Sequence, residues 1–303
     1  MSNLKDITTR IHSIQNIHKI TKAMELVSIS KMKRATSAVL ASRDYAGTLW
    51  AVIDDLAGRV NQKAHPLLFS PKKIKKVLLI VMTSDRGLCG SFNTEIFQKV
   101  SQFLKILGEK RKVDYVVIGK KGEDRAAREK WNVLASFDNL SVAPNFNDAA
   151  PIARLATDEF LNKKYDHVFI IYSDFVSTIN QRSVIHELLP IKSSEDLGDV
   201  ESNLKKKEKE DLPKYSYEFK FEPGRDEVLE FILPRAIQTQ VYQALLESIA
   251  SEQAARMVAM KNASDAAVDM VDDLKLTFNQ LRQAAITREI AEISTGKAVL
   301  EEV

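Results

Sequence analysis

The stretch MVAMKNASDAAVDMVDDLKLTFNQLRQAA (257–285) carries a single spacing from end to end. Met257, Met260, Ser264, Ala267, Val271, Leu274, Phe278, Leu281 and Ala285 follow one another at alternating steps of three and four. That rhythm, held for four heptads, puts all of them on one helix face and makes that face a coiled-coil seam. Ser264, Ala267 and Ala285 are small for a seam, so the backbones are expected to approach closely there. Around the stretch, about 60 residues follow Pro234 without proline or glycine. Pro234 is read as a kink or the first turn of the main helix, and Gly296 as its C-terminal stop.

A seam needs a second helix. Residues 3–60 contain no proline, and Leu4, Ile7, Ile11, Ile14, Ile17, Ile20, Met24 and Val27 again recur at steps of three and four. The pattern continues through Met32, Ala35, Val39, Leu49, Val52 and Leu56. Between the two helices the period changes. KVLLIVMTS (76–84), DYVVIG (114–119) and HVFIIYS (167–173) are short apolar runs that read as buried strands, with RSVIHELLP (182–190) as an added strand. Helical patterns at Phe92–Leu107, Lys120–Lys130 and Ile152–Leu161 lie between them, which argues for a parallel-type α/β sheet. The segment 193–214 is dense in charge and poor in apolar residues, and reads as an exposed loop. The predicted divisions are an N-terminal long helix over 1–62, an α/β domain over 72–220, and a C-terminal long helix over 224–303 with its tip at 282–296.

Helices of this length span roughly 80–95 Å at 1.5 Å per residue. A domain of about 150 residues is only about 40 Å across. The long helices are therefore expected to project as an antiparallel pair. The C-terminal helix is the longer, so its tip, RQAAITREIAEI (282–293), outruns its partner. Ile286, Ile290 and Ile293 share one face of that tip. A partner that surrounds a single helix is the expected cover for them.

Composition sets bounds on function. The chain has 303 residues, 45% of them hydrophobic, with 44 basic and 41 acidic side chains, so no global nucleic-acid footprint follows. One cysteine, Cys89, allows no disulfide within the chain and suits a reducing compartment. No apolar run approaches the 18–20 or so residues that span a bilayer. The N-terminal MSNLKDITTRIH has neither an apolar signal core nor an Arg/Ser-rich leader. His12, His18, His65, His167 and His186 show no metal-ligand spacing, and no nucleophile motif is present. SDRGLCGSFN (84–93) follows the first strand and opens a helix, where glycines can cradle phosphate. It fits neither the dinucleotide fingerprint nor a P-loop. A tight turn is the preferred reading, with Asp85, Arg86 and Cys89 open to protein contact.

Between residues 10 and 43 the first helix carries Arg10, Lys19, Lys22, Lys31, Lys33, Arg34 and Arg43 against one acid, Glu25. A solvated face usually mixes signs. A basic stripe can meet nucleic acid or the acidic loops of a protein. No aromatic residue lies between Leu4 and Ser42, which disfavours stacking on single strands.

Four stretches taken together resemble one family, the gamma subunits of F-type ATP synthases. They are IHKITKAMELVSISKMKRA (17–35), SDRGLCGSFN (84–93), QVYQALLESIASEQAARMVAMKNASDAA (240–267) and RQAAITREIAEISTG (282–296), in the family's order and spacing. The resemblance implies a fold: α/β plus long coiled coil, an antiparallel pair of long N- and C-terminal helices with a central Rossmann-like α/β domain. It also implies a function. The coil would be the central-stalk rotor, turning inside a ring of three alpha and three beta subunits and coupling proton flow through the membrane c ring to ATP synthesis or hydrolysis. Catalysis would belong to the beta subunit, so this chain would be a non-catalytic part of a multisubunit enzyme, with no cofactor and no metal.

Site residues carried over by the resemblance are Lys31, Lys33 and Arg34, then Asp85, Arg86 and Cys89, and finally Arg282, Gln283 and Thr287, all toward the beta subunit. Ile286, Ile290 and Ile293 would turn in an apolar sleeve of the alpha–beta ring. Phe219 and Glu222 would form the foot near the c ring and the epsilon subunit. No nucleic acid is implied, and membrane association would be indirect, through the c ring, on the cytoplasmic face of a bacterial inner membrane. The cysteine-bearing insertion of plant chloroplast members is missing, so Cys89 has no partner for a thiol switch. Two other readings stand beside this one. A coiled-coil RNA-binding arm would bind with steep salt dependence, and a nucleotide-binding α/β enzyme would need phosphate contacts at Gly87–Ser91.

Overall fold

The computed structural model describes residues 2–59, 65–69, 74–108, 111–138, 144–191 and 224–301. Phe219, Glu222 and the charged segment 193–214 lie outside the described residues. The chain divides into two compact units. One comprises Met1–Val27 with Met257–Val303, and the other Ser28–Arg256. Helices α1 (Ser2–Arg59) and α5 (Arg225–Glu301) each run through both.

The larger unit is built on a five-stranded sheet. β1 (Lys76–Met82), β2 (Lys112–Ile118), β3 (Val133–Phe137), β4 (His167–Phe175) and β5 (Gln181–Leu189) lie in the order β3-β2-β1-β4-β5. The first four are parallel, and β5 closes one edge antiparallel to β4. Helices α2 (Phe92–Leu107), α3 (Lys120–Glu129) and α4 (Ala150–Leu161) occupy the connections. β3 has no counterpart among the strands predicted from sequence. It is an edge strand with Val133 and Leu134 exposed, so it lacks the continuous apolar run that marks buried parallel strands.

Period two sends alternate residues of β1 to opposite faces. Leu78, Ile80 and Met82 face one side with Val116, Ile118, Val168 and Ile170. α4 covers that side through Ile152, Ala153 and Phe160, together with α1 at Leu49 and Ile53 and α5 at Leu229, Leu233, Ile237 and Val241. Leu79 and Val81 face the other side with Tyr115, Val117 and Ile171, beneath Phe92, Ile96 and Val100 of α2 and Ala126 of α3. The terminal helices are thus part of the domain's core. At the C-terminal ends of β1 and β2 the backbones come close. A Cβ on Gly119 would lie 2.2 Å from the Thr83 carbonyl oxygen, and the residue sits at φ +91°. In that space the Thr83 hydroxyl donates to the Ile118 carbonyl at 2.8 Å and accepts the Gly122 N–H at 2.8 Å.

In the smaller unit α1 and α5 pack on each other, and together with the sheet domain they make the fold class read from the sequence. On α5, Met260, Ser264, Ala267 and Val271 are buried, and Leu274, Phe278, Leu281 and Ala285 are half-buried. The other residues from Lys261 to Thr295 are exposed, apart from the half-buried Ala263. On α1 the packed row differs from the one expected. Leu4, Ile7, Ile11 and Ile14 are half-buried, but the row continues through half-buried His18 and buried Thr21 and Glu25, while Ile17, Ile20 and Val27 are exposed. Strict heptad continuation from Ile14 demands 18, 21 and 25, whereas the apolar row shifts one residue back. Across from His18, α5 presents the small polar Ser264. Ser264 Oγ lies 3.0 Å from His18 Nδ1, and Glu25 pairs with Lys22 at 3.0 Å.

Two sequence-based boundaries move. Pro234 is inside α5 rather than in its first turn, and the helix continues through Gly296 to Glu301. One interior glycine costs only about 1 kcal/mol relative to alanine, which a long helix absorbs.

Ser264→Phe is expected to cost about 1–3 kcal/mol by overpacking a closed seam, read as lost amide-exchange protection over 257–275. Unchanged protection would place the seam elsewhere. A second expectation concerns His186 on β5, whose side chain meets Gln240 Nε2 of α5 at 3.4 Å. Burial pushes its pKa down to about 4, with Glu187 opposing. The folded protein therefore holds His186 neutral where the unfolded chain, titrating near 6.5, takes a proton. Stability should fall as pH drops from about 6.5 toward about 4, by up to about 1.4 kcal/mol per pH unit. Denaturant titrations across that window should show a shallower slope for His186→Gln, and an unaltered slope would reject His186 as the cause.

Candidate functional site

Three groups of residues expected to make contacts fall on different parts of the structure. The loop 84–91 links β1 to α2. Its base is fixed by Asn93, whose Oδ1 accepts the Ser84 N–H at 3.1 Å and whose Nδ2 donates to Ser84 Oγ at 2.7 Å. Ser84 Oγ donates to the Arg86 carbonyl at 2.8 Å. Asp85 Oδ1 accepts the Lys120 N–H at the start of α3. Cys89 is only 2% exposed and faces inward, with Asn93 Nδ2 3.2 Å from its sulfur. Arg86, Leu88 and Ser91 are the side chains turned to solvent. Cys89 therefore belongs to the loop's inner wall, and a contact through its side chain does not fit this placement.

α5 holds the loop from the other side, a feature that sequence reading missed. Arg256, itself buried, donates from Nη2 to the carbonyls of Arg86 at 3.1 Å and Gly87 at 3.3 Å, and from Nε to Gly87 at 3.4 Å. Its Nη1 pairs with Glu252 at 2.7 Å. Burial pushes the Glu252 carboxyl up, Arg256 pulls it down, Asp85 raises it and Lys31 lowers it. Lys31 of α1 is thus within electrostatic reach of this cluster. No periodicity signals such an arrangement, because the partners of Arg256 are backbone carbonyls some 170 positions away.

The same elements argue against a nucleotide site. In a sheet of this order, ligands sit beyond the strand ends where the order reverses, between β1 and β4. Ser251 of α5 covers that point and donates to the Ser173 carbonyl of β4 at 3.0 Å. The first turn of α2 carries the acid Glu95, which accepts a hydrogen bond from Ser91 Oγ at 2.6 Å, and a negative charge there disfavours a bound phosphate. A cavity nearby, lined by Thr83, Asp85, Gly119, Ser248 and Glu252, measures about 40 Å³, far below the roughly 300 Å³ of a small ligand pocket. Among the described residues no group of three or more His, Cys, Asp or Glu could hold a metal ion.

The other two groups are on the long helices. Lys33 and Arg34 are exposed and Lys31 half-exposed. At the tip of α5, Arg282, Gln283, Ala284 and Thr287 are exposed, and Ile286, Ile290 and Ile293 are 49%, 63% and 73% exposed. An isoleucine row so open over two helical turns is a large apolar surface for a lone helix. No described helix is long and apolar enough to cross a membrane.

Known proteins resemble the whole chain. A family profile described as ATP synthase matches residues 3–300. An ATP synthase gamma chain from Chloroflexus aurantiacus is 41% identical, with 99% of each chain covered. One from Roseiflexus castenholzii is 42% identical over the full length of both, and one from Legionella pneumophila 38% identical over 99% of this chain and all of the relative. Among solved structures, a chain of the central stalk and c ring of the Tetrahymena thermophila mitochondrial ATP synthase superposes with a TM-score of 0.61 at 31% identity, over 81% of this chain and 99% of that one. A Euglena gracilis mitochondrial ATP synthase chain shares the fold at a TM-score of 0.65 and 20% identity, over 99% and 95% of the two chains. The chain belongs to the ATP synthase gamma family.

Proposed function

We propose that this chain is the central-stalk rotor of an F-type ATP synthase, a non-catalytic subunit that couples rotation to catalysis elsewhere in the complex. The observation that carries the reading is the Ile286–Ile290–Ile293 row, an apolar face at the far end of a regular helix in a member of this family. Its partners are three alpha and three beta subunits, the epsilon subunit and the c ring. The tip turns in an apolar sleeve of the alpha–beta ring. Arg282, Gln283 and Thr287 meet a beta-subunit loop, and Lys31, Lys33 and Arg34 face an acidic loop of the same subunit, with Asp85 and Arg86 of the 84–91 loop beside it. Phe219 and Glu222 contribute to the foot on the c ring and epsilon. In this division of labour 1–62 and 224–303 are the shaft, and 72–220 is the domain that joins it to the foot.

The chemistry suits rotation. Apolar contacts are non-directional, so a shaft held by Ile side chains meets similar surroundings at different angles. Directional contacts are few at the tip and are supplied by Arg282, Gln283 and Thr287. Unequal contacts of one shaft with three otherwise equal catalytic subunits bias those subunits into different states. Three subunits in three states are what an ordered catalytic cycle needs. The complex sits peripherally at the membrane, on the cytoplasmic face of a bacterial inner membrane.

Tagged chain pulled from gently solubilised membranes should bring one copy with three alpha and three beta subunits and ATPase activity. A chain truncated after Gln280 should lose coupled proton pumping or assembly while residues 28–256 keep their thermal transition. Recovery of the intact chain alone, or with RNA, under conditions that preserve the ATPase would reject the reading.

A further inference from the structure

Three non-glycine residues among those described have positive φ: Leu88 at 64°, Lys130 at 56° and Lys163 at 56°. Two have a local reason. Lys130 caps the end of α3, and Lys163 lies just beyond the end of α4, where left-handed residues commonly stop helices. Leu88 caps no helix end. It stands in the middle of the 84–91 loop, in a conformation that branched L-residues rarely adopt. Its side chain is 62% exposed, so little burial within the chain offsets the strain. Backbone strain that the local fold does not require points to a task for the side chain it displays.

The loop is also built not to relax. Asn93 and Asp85 tie its two flanks, and Arg256 grips the two carbonyls immediately before Leu88. The nearby carboxylates are already engaged. Asp85 accepts from Lys120, Glu252 pairs with Arg256, and Glu95 accepts from Ser91. The cations on this side are freer. Arg86 is exposed on the loop itself, and Lys31 acts on Glu252 from α1.

We propose that Leu88 is the contact knob of this loop, entering an apolar depression flanked by carboxylates on the beta subunit, and that Arg256 is the positioning residue that holds the knob in place from α5. The inference rests on the rotor reading and adds to it a named contact and the residue behind it. It also accounts for the inward turn of Cys89. The thiol closes the underside of the loop while its neighbour is presented.

The single cysteine supplies the reporter. In the full chain Cys89 is shielded by the closed loop, so its rate of reaction with a soluble disulfide reagent reads loop opening. Arg256→Gln should raise that rate at least tenfold, and Arg256→Lys should fall between it and wild type. Leu88→Gly should leave the rate within about twofold and weaken association with a purified alpha–beta ring at least tenfold, with Leu88→Met restoring most of it. The double variant Arg256→Gln/Leu88→Gly should associate no more weakly than Leu88→Gly alone, since both act through one contact. If Arg256→Gln does not fold, Arg256→Lys carries the comparison. Wild-type association by Leu88→Gly overturns the knob. An unchanged Cys89 rate in the Arg256 variants, or additive losses in the double variant, overturns the positioning role. A wild-type chain that fails to join the ring overturns the rotor reading itself, an outcome distinct from a loss confined to the variants.

Discussion

A parallel sheet that is apolar on both faces must be covered on both, and this chain uses its own terminal helices for one of the covers. Leu79 and Val81 of β1 are satisfied by the crossover helices α2 and α3. Leu78, Ile80 and Met82 are satisfied by α4 together with α1 and α5. Each fully buried leucine or isoleucine is worth roughly 1.5–3 kcal/mol relative to exposure. Leu229, Leu233, Ile237 and Val241 of α5 alone therefore represent several kcal/mol of cohesion. Turning the helices within this unit would expose that surface. A member of a rotor family needs such a joint, because torque passes only where helix and domain cannot slip.

The polar contacts at the strand ends extend the same logic. Arg256 and Ser251 place hydrogen bonds where a nucleotide would bind in a catalytic relative of this sheet. Thr83, Gly119 and Gly122 pack the strand ends tightly beneath the loop. The topology is one that commonly serves nucleotides, yet the space is taken by the chain's own helix. Function here lies in surfaces offered to partners, in line with the general separation of fold from activity. At the tip the opposite design holds. There Ile286, Ile290 and Ile293 leave an apolar row exposed.

Much of this was legible in the sequence because periodicity reports burial directly. The three-and-four steps from Met260 to Ala285 coincide with the residues that α5 buries or half-buries in its unit. The runs at 76–84, 114–119 and 167–173 are strands because unbroken apolar segments of that length fit a sheet covered on both faces. The failures are equally physical. β3 is exposed and short, so no apolar run announces it. On α1, hydrophobicity pointed to Ile17, Ile20 and Val27, but the seam takes His18, Thr21 and Glu25, the positions a strict heptad reaches from Ile14, with His18 hydrogen-bonded to Ser264. The isoleucines left outside form a second apolar row on that helix. Arg256 and Leu88 were invisible for another reason. One binds backbone carbonyls distant in sequence, and the other is distinguished by a dihedral angle.

A rotor of this family turns as a shaft while ATP is made or consumed around it, and that turning can be watched. A bead attached through a cysteine introduced at Ile106, an exposed position on α2, in a Cys89→Ser background would report motion of the sheet domain on an immobilised alpha–beta ring. On addition of ATP the bead should rotate steadily in one direction with three pauses per turn, one for each catalytic subunit. Steady ATP hydrolysis by the assembled ring with a bead that only fluctuates would contradict it.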